Sequence, residues 1–342
     1  MTRVLGWDVG GAHLKAALAD GDRIVTVWQE PSPIWQGLAR LDDALATILA
    51  EVGDVDRHVV TMTGELSDVF ASRGEGVERL TRLFADRLAG RVTIYAGAAG
   101  FVPPEDAGAH LPQIASANWH ASAALAAGAI EEALFLDMGS TTTDIVPVAG
   151  GTVRAIGATD AERLAAGELV YQGYTRTALM AVASEVPFAG RVVPVMNEFF
   201  ASMADVQRVV GTLDEADDLQ PAADGQAKTL EGSRRRLARM VGMDAADGTD
   251  GAWEWLGHAF AEAQVRRIHD AALRVLSRED LTDDAPVVIA GAGRPVLRRL
   301  AARLDRGVVD FSDLLDCSSD RREAVCRAAP AAALALLAAR LG

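Results

Sequence analysis

Two short segments of this chain carry the residue types that hold phosphate. The first is Asp8-Val9-Gly10-Gly11, with His13 and Lys15 close behind. The second is Asp137-Met138-Gly139-Ser140-Thr141-Thr142, with Asp144 two positions on. Each follows an apolar run, Val4 to Trp7 and Ala133 to Leu136. Glycines at the end of a strand let the backbone turn tightly and present N–H groups to an anion. An Asp there orients a hydrated Mg²⁺ that phosphate oxygens share. Lys15 and His13 can reach the same anion. A third segment, Gly291-Ala292-Gly293, follows Val287 to Ala290 and precedes a helix. Gly291 and Gly293 read either as a nucleotide-side loop or as a generic strand-to-helix turn.

The elements that must position these loops repeat. Val4–Trp7, Lys15–Ala19 and Ile24–Trp28 read as a β-meander. Ala133–Leu136, Asp144–Val148 and Thr152–Ile156 repeat it, with Gly150-Gly151 as the hairpin turn. This is an internal duplication. Helices are expected at Leu38–Leu49, Leu80–Leu88, Asn118–Ala127, Phe199–Val210 and Trp253–Leu276, and strands at 59–62, 92–95 and 308–311. Asp214 to Gly251, rich in Asp, Gly and Ala, is expected to be a mobile, partly helical insertion. The Ala- and Leu-rich run 328–341 is expected to be a buried helix.

At 342 residues and 50% hydrophobic content, the chain has material for two domains. The net charge of −15 argues against nucleic acid and against an anionic membrane surface as partners. Cys317 and Cys326 form neither a disulfide framework nor a zinc spacing, and no signal peptide is visible. A cytoplasmic protein is expected, with a homodimer left open.

In order and spacing, the three glycine loops resemble those of the actin-like ATPase, hexokinase and Hsp70 superfamily. That resemblance implies an α/β protein with two lobes, duplicated ribonuclease H-like domains and a central cleft. The first lobe would span 1–130, with the helix 322–342 packed back on it. The second would span 131–321, with a helical insertion at about 197–280. Longer stretches narrow the resemblance: Gly6–His13, Thr61–Leu66, Ser116–Ala121, Asp137–Asp144, Glu168–Gly173 and Met203–Val206. They are similar to the hydantoinase/oxoprolinase-related proteins linked to tetrahydromethanopterin C1 transfer.

That family implies a transferase of methanofuran or methylofuran biosynthesis. An aminomethyl-furan-methanol diphosphate would be joined to the phenol of tyramine or glutamyltyramine, giving an aryl ether and diphosphate with Mg²⁺ as cofactor. Asp8 and Asp137 would then position Mg²⁺. Gly10, Gly11, His13, Gly139, Ser140, Thr141 and Thr142 would bind the diphosphate, with Lys15 adding positive charge. Glu65 is the first candidate for accepting the phenol proton, or else a capping or surface carboxylate. Asp144 is the second candidate, or a structural residue. Asn118, Trp119 and His120 line an acceptor pocket or belong to the core, with Tyr171 and Arg176 assisting recognition. Arg234–Arg236 meet glutamyl carboxylates or form a solvated helix face. An ATP-dependent small-molecule kinase on the same fold is the main alternative.

Overall fold

The computed structural model describes residues 2–341. The chain starts with a meander of β1 (Arg3–Val9), β2 (His13–Asp20) and β3 (Arg23–Pro31), covered by α1 (Leu38–Glu51). Then come β4 (Arg57–Met62), α2 (Arg73–Arg87), β5 (Arg91–Tyr95), β6 (Phe101–Val102), a short α3 (Leu111–Ile114) and α4 (Asn118–Ala127). The pattern restarts with β7 (Glu132–Met138), β8 (Thr143–Ala149), β9 (Thr152–Val153), α5 (Asp160–Ala166) and β10 (Leu169–Val170). A second-half excursion holds β11 (Glu185–Phe188), β12 (Arg191–Pro194), α6 (Met203–Val209), α7 (Leu230–Met240) and the long α8 (Asp250–Leu276). The chain then runs through β13 (Val287–Ala290), α9 (Arg294–Arg303), β14 (Val308–Asp310), β15 (Asp316–Cys317), α10 (Arg322–Arg327) and α11 (Ala329–Ala339).

The duplication is visible in the sheets. The first runs β15-β3-β2-β1-β4-β5-β6, and the second runs β10-β8-β7-β13-β14 with β9 also on β8. In each, a central strand pairs antiparallel with its successor and parallel with a later strand. The outer face of the first sheet packs on α1 and α2, with Leu41, Leu45, Ile48, Leu80 and Phe84 fully or nearly buried at helical spacing. The outer face of the second packs on α8 and α9.

Between the sheets lies one continuous apolar layer made by α4 and α11. It joins Val4, Ala17 and Val59 of the first sheet to Phe135, Val146 and Val288 of the second. Small residues permit this close approach. A Cβ on Gly6 of β1 would stand 2.2 Å from the Ala331 carbonyl oxygen, so α11 lies directly on the strand there. The buried helix expected near the end of the sequence is thus the wedge between the lobes.

Three expectations need correction. The strand expected at Thr152–Ile156 ends at Val153. The N–H groups of Ile156 and Gly157 instead donate to the buried Glu168 carboxylate, at 2.8 and 3.0 Å. The helix expected from Phe199 begins at Met203, because Ser202 and Asp205 form a capping box. The segment 214–251 is pinned, and Arg236 within it has no exposure. Its guanidinium meets Asp205 at 2.8 Å and Asp224 at 3.1 Å. Arg208 meets Asp218 and Glu215 at 2.6 and 2.7 Å. Arg234 and Arg235 pair with Asp250 and Glu231. Of the basic run, Arg236 is spent on buried ion pairs, while Arg235 lies on the solvated helix face. Among the described residues, no helix is long and apolar enough to cross a membrane.

Candidate active site

The two Asp-x-Gly segments are hairpin turns joining β1 to β2 and β7 to β8. Gly10 N donates to His13 O at 3.0 Å, and Gly139 N donates to Thr142 O at 3.0 Å. These two amides close the turns, so they are not available to an anion, contrary to expectation. The N–H groups of Gly11, Ala12, Ser140 and Thr141 donate to no group among the described residues. The turns therefore leave two pairs of unspent donors.

The second turn is braced from behind. Tyr174 N donates to Gly139 O at 2.9 Å, and Arg176 N donates to Ser140 O at 2.8 Å. A Cβ on Gly173 would lie 2.4 Å from the Ser140 carbonyl, so only glycine permits this contact. The Arg176 guanidinium donates to Thr141 Oγ1 at 3.1 Å and lies 5.4 Å from the centre of the Trp35 ring, across the cleft.

Behind the turns sits a buried charge cluster. Register places Asp8 opposite Lys15 and Asp137 opposite Asp144. Asp8 Oδ1 is buried with no hydrogen-bond partner among the described residues. Burial raises the Asp8 carboxyl above its ordinary range, with Lys15 pulling the other way. Asp137 is pushed up to about 7 by burial first and by Asp144 second. Such uncompensated carboxylates fit a bound cation. Among the described residues no group of three or more His, Cys, Asp or Glu could hold a metal. A metal here would therefore need ligands beyond side chains, which phosphate oxygens supply. Lys15 Nζ donates to the Arg327 carbonyl at 2.8 Å, which fixes its position. His13 is held neutral, its pKa lowered to about 4 by burial and then by Lys15 and Arg176.

The turns open onto a cleft of about 520 Å³. Gly11, Asn118, Trp119, Thr141, Thr142, Asp144, Tyr171 and Arg176 line it, as do Trp35, Ser116, Asp160 and Arg163, which sequence reasoning missed. Asp144 is paired with the buried Arg163 at 2.9 Å. The Arg163 guanidinium also lies 3.9 Å from the centre of the Trp119 ring. His120 is not in this cleft. Its Nδ1 shares a 2.7 Å hydrogen bond with the Tyr95 hydroxyl, and it lines a separate cavity of about 240 Å³ behind Trp119. Gly291 and Gly293 are also elsewhere. A Cβ on Gly291 would meet Met138 O at 2.3 Å, and one on Gly293 would meet the Met138 side chain at 2.4 Å. Both glycines let α9 approach the second turn.

Glu65 sits in a turn after β4 and is 1% exposed. It is not a surface carboxylate. Ser116 Oγ donates to its Oε1 at 2.9 Å, and Oε2 has no partner among the described residues. Burial pushes its carboxyl up to about 7, with Ser116 and Arg73 opposing. Arg73 lies 4.0 Å from Glu65 and forms an ion pair with Asp160 on α5, from the other side of the cleft.

A duplicated sheet pair with two facing Asp-x-Gly turns defines the two-lobed actin-like ATPase fold. The A component of (R)-2-hydroxyglutaryl-CoA dehydratase from Acidaminococcus fermentans has the same fold, with a TM-score of 0.50, 13% identity and 100% and 99% of the two chains covered. Within that class, residues 56–313 match the hydantoinase/oxoprolinase family, and the chain belongs to it. It is 29% identical over 86% of its length to a Methanocaldococcus jannaschii protein, of which 87% is covered. That protein is named (4-{4-[2-(γ-L-glutamylamino)ethyl]phenoxymethyl}furan-2-yl)methanamine synthase. A Methanococcus vannielii protein of the same name is 34% identical over 32% of this chain and 50% of its own.

Proposed function

We propose that the chain is a transferase that joins an aminomethyl-furan-methanol diphosphate to the phenol of a tyramine-like acceptor. The aryl ether forms and diphosphate leaves. The observation that carries this reading is the likeness to the named synthase along 86% of the chain.

The residues of the cleft suit that chemistry. The unspent amides of Gly11, Ala12, Ser140 and Thr141, with the Thr141 and Thr142 hydroxyls, receive the diphosphate. Lys15 stabilises the charge that grows on it as the exocyclic C–O bond breaks. Asp8 and Asp137 would hold Mg²⁺, which supplies further positive charge to the leaving group. Trp35, Tyr171 and Trp119 offer aromatic walls for the two rings of the substrates. The phenol proton goes to Glu65. Asp144 is less suited to it, because Arg163 already holds its charge.

The test is incubation with the furan-methyl diphosphate and tyramine or glutamyltyramine, with diphosphate release and the ether mass followed together. Coupled appearance of both supports the reading. No ether with any phenol, combined with magnesium-dependent ATP turnover, would replace it by a kinase.

A further inference from the structure

Ser116 occupies an unusual position. Its backbone is in the left-handed region at φ 55°, which costs a non-glycine residue energy. It lines the cleft, whereas Glu65 behind it does not. Its hydroxyl has one hydrogen and two lone pairs. The hydrogen goes to Glu65 Oε1 at 2.9 Å rather than to Asp160 Oδ2 at 3.4 Å. One lone pair accepts from Arg73 Nη2 at 3.1 Å. The second is left for a donor in the cleft.

We infer that Ser116 is a proton relay between the acceptor's hydroxyl and Glu65, and that Arg73 and Asp160 position it. This rests on the transferase reading proposed above. The acceptor O–H gives its proton to Ser116 Oγ, and the Ser116 hydrogen passes to Glu65 Oε1. The freed electron pair on the acceptor oxygen forms the new C–O bond as the old C–O pair leaves with diphosphate. Glu65 later returns one proton to solvent. Arg73 comes from α2, and Asp160 from α5 across the cleft. Their ion pair therefore holds the relay from both sides of the cleft. The charged or titratable groups around Glu65 are Arg73, Asp160 and Tyr171. Arg73 lowers the Glu65 pKa, and Asp160 raises it.

The experiment compares the full-length protein with Ser116→Ala, Ser116→Gly, Arg73→Gln and Asp160→Asn. Two readouts are taken: the pH profile of ether formation, and the Glu65 titration by difference infrared spectroscopy against Glu65→Gln. Both Ser116 variants are expected to lose 10²-fold or more in kcat, in the range typical of general acid–base groups. The Glu65 titration, and with it the acidic limb of the profile, should move up in Arg73→Gln and down in Asp160→Asn. Full activity in Ser116→Gly, which relieves the backbone strain, would overturn the relay. So would shifts of the same sign in the Arg73 and Asp160 variants. If the wild type forms no ether, the transferase reading fails. The relay is then judged separately by whether the Glu65 titration moves up in Ser116→Ala, because its hydrogen bond is lost.

Discussion

Lys15 and Asp144 occupy the same place in the two repeats. Each is the cross-strand neighbour of the strand-end aspartate, Asp8 in the first copy and Asp137 in the second. The duplicated scaffold therefore carries opposite charges at equivalent points. Lys15 faces the cluster of carboxylates, while Asp144 is neutralised by Arg163. The result is a single lysine beside the two strand-end carboxylates rather than a symmetric pair.

Replacing Lys15 by Met removes that charge. Diphosphate release should fall by roughly 10²–10³-fold, as for loss of one preorganised electrostatic group. The Asp137 carboxyl, already near 7, should rise further, because Lys15 lowers it. Steady-state kinetics between pH 6 and 9 would check both effects.

Glu65 sets a trade between stability and activity. Its folded-state pKa of about 7 lies above its ordinary value of 4.5, so the folded chain binds this proton more tightly than the unfolded chain. Stability is therefore lost as pH rises from the lower value through the higher one. The loss is on the order of 3 kcal/mol. Glu65→Gln should accordingly melt higher than wild type at pH 8 and nearly level with it at pH 5, while losing ether formation at both. Calorimetric scans at the two pH values decide this.

Arg163→Met leaves Asp144 buried without its counter-charge. A loss of about 3–5 kcal/mol is expected in urea unfolding. Adding Asp144→Asn should recover part of it, because the uncompensated charge is gone.

Gly173→Ala forces a methyl group into the backbone of Ser140 and Thr141. It should cost roughly 1–3 kcal/mol and weaken diphosphate binding, measured by calorimetric titration. Gly11→Ala meets nothing within 4 Å and should leave the melting temperature unchanged.

Local chemistry made much of this protein legible in its sequence. The Asp-x-Gly turns, the meanders and the long Trp253–Leu276 helix all announce themselves through short-range patterns. The contacts that complete the cleft do not. Arg73 reaches Asp160 across 87 positions, and Trp35 meets Arg176 only because the lobes face each other. Arg163 reads as one more exposed helix residue until Trp119 and Asp144 are placed against it. Arg236 was hidden for the converse reason. Its partner Asp205 lies 31 positions away, and nothing in a run of three arginines marks which one points inward. His120 follows Trp119 directly, yet it faces away from the cleft, because neighbouring positions on a helix point in different directions.

The contact of Gly6 with Ala331 bears on how the chain comes to be folded. β1 is made early, but the helix that covers its inner face is separated from it by more than 300 positions. Until that helix is made, the inner face of the first sheet, which α11 covers along β1, β2 and β4, lies open. Closure over such a distance is slow, and partly built chains expose apolar surface meanwhile. Nascent chains of this protein should therefore depend on chaperones until Ala329–Ala339 has been synthesised.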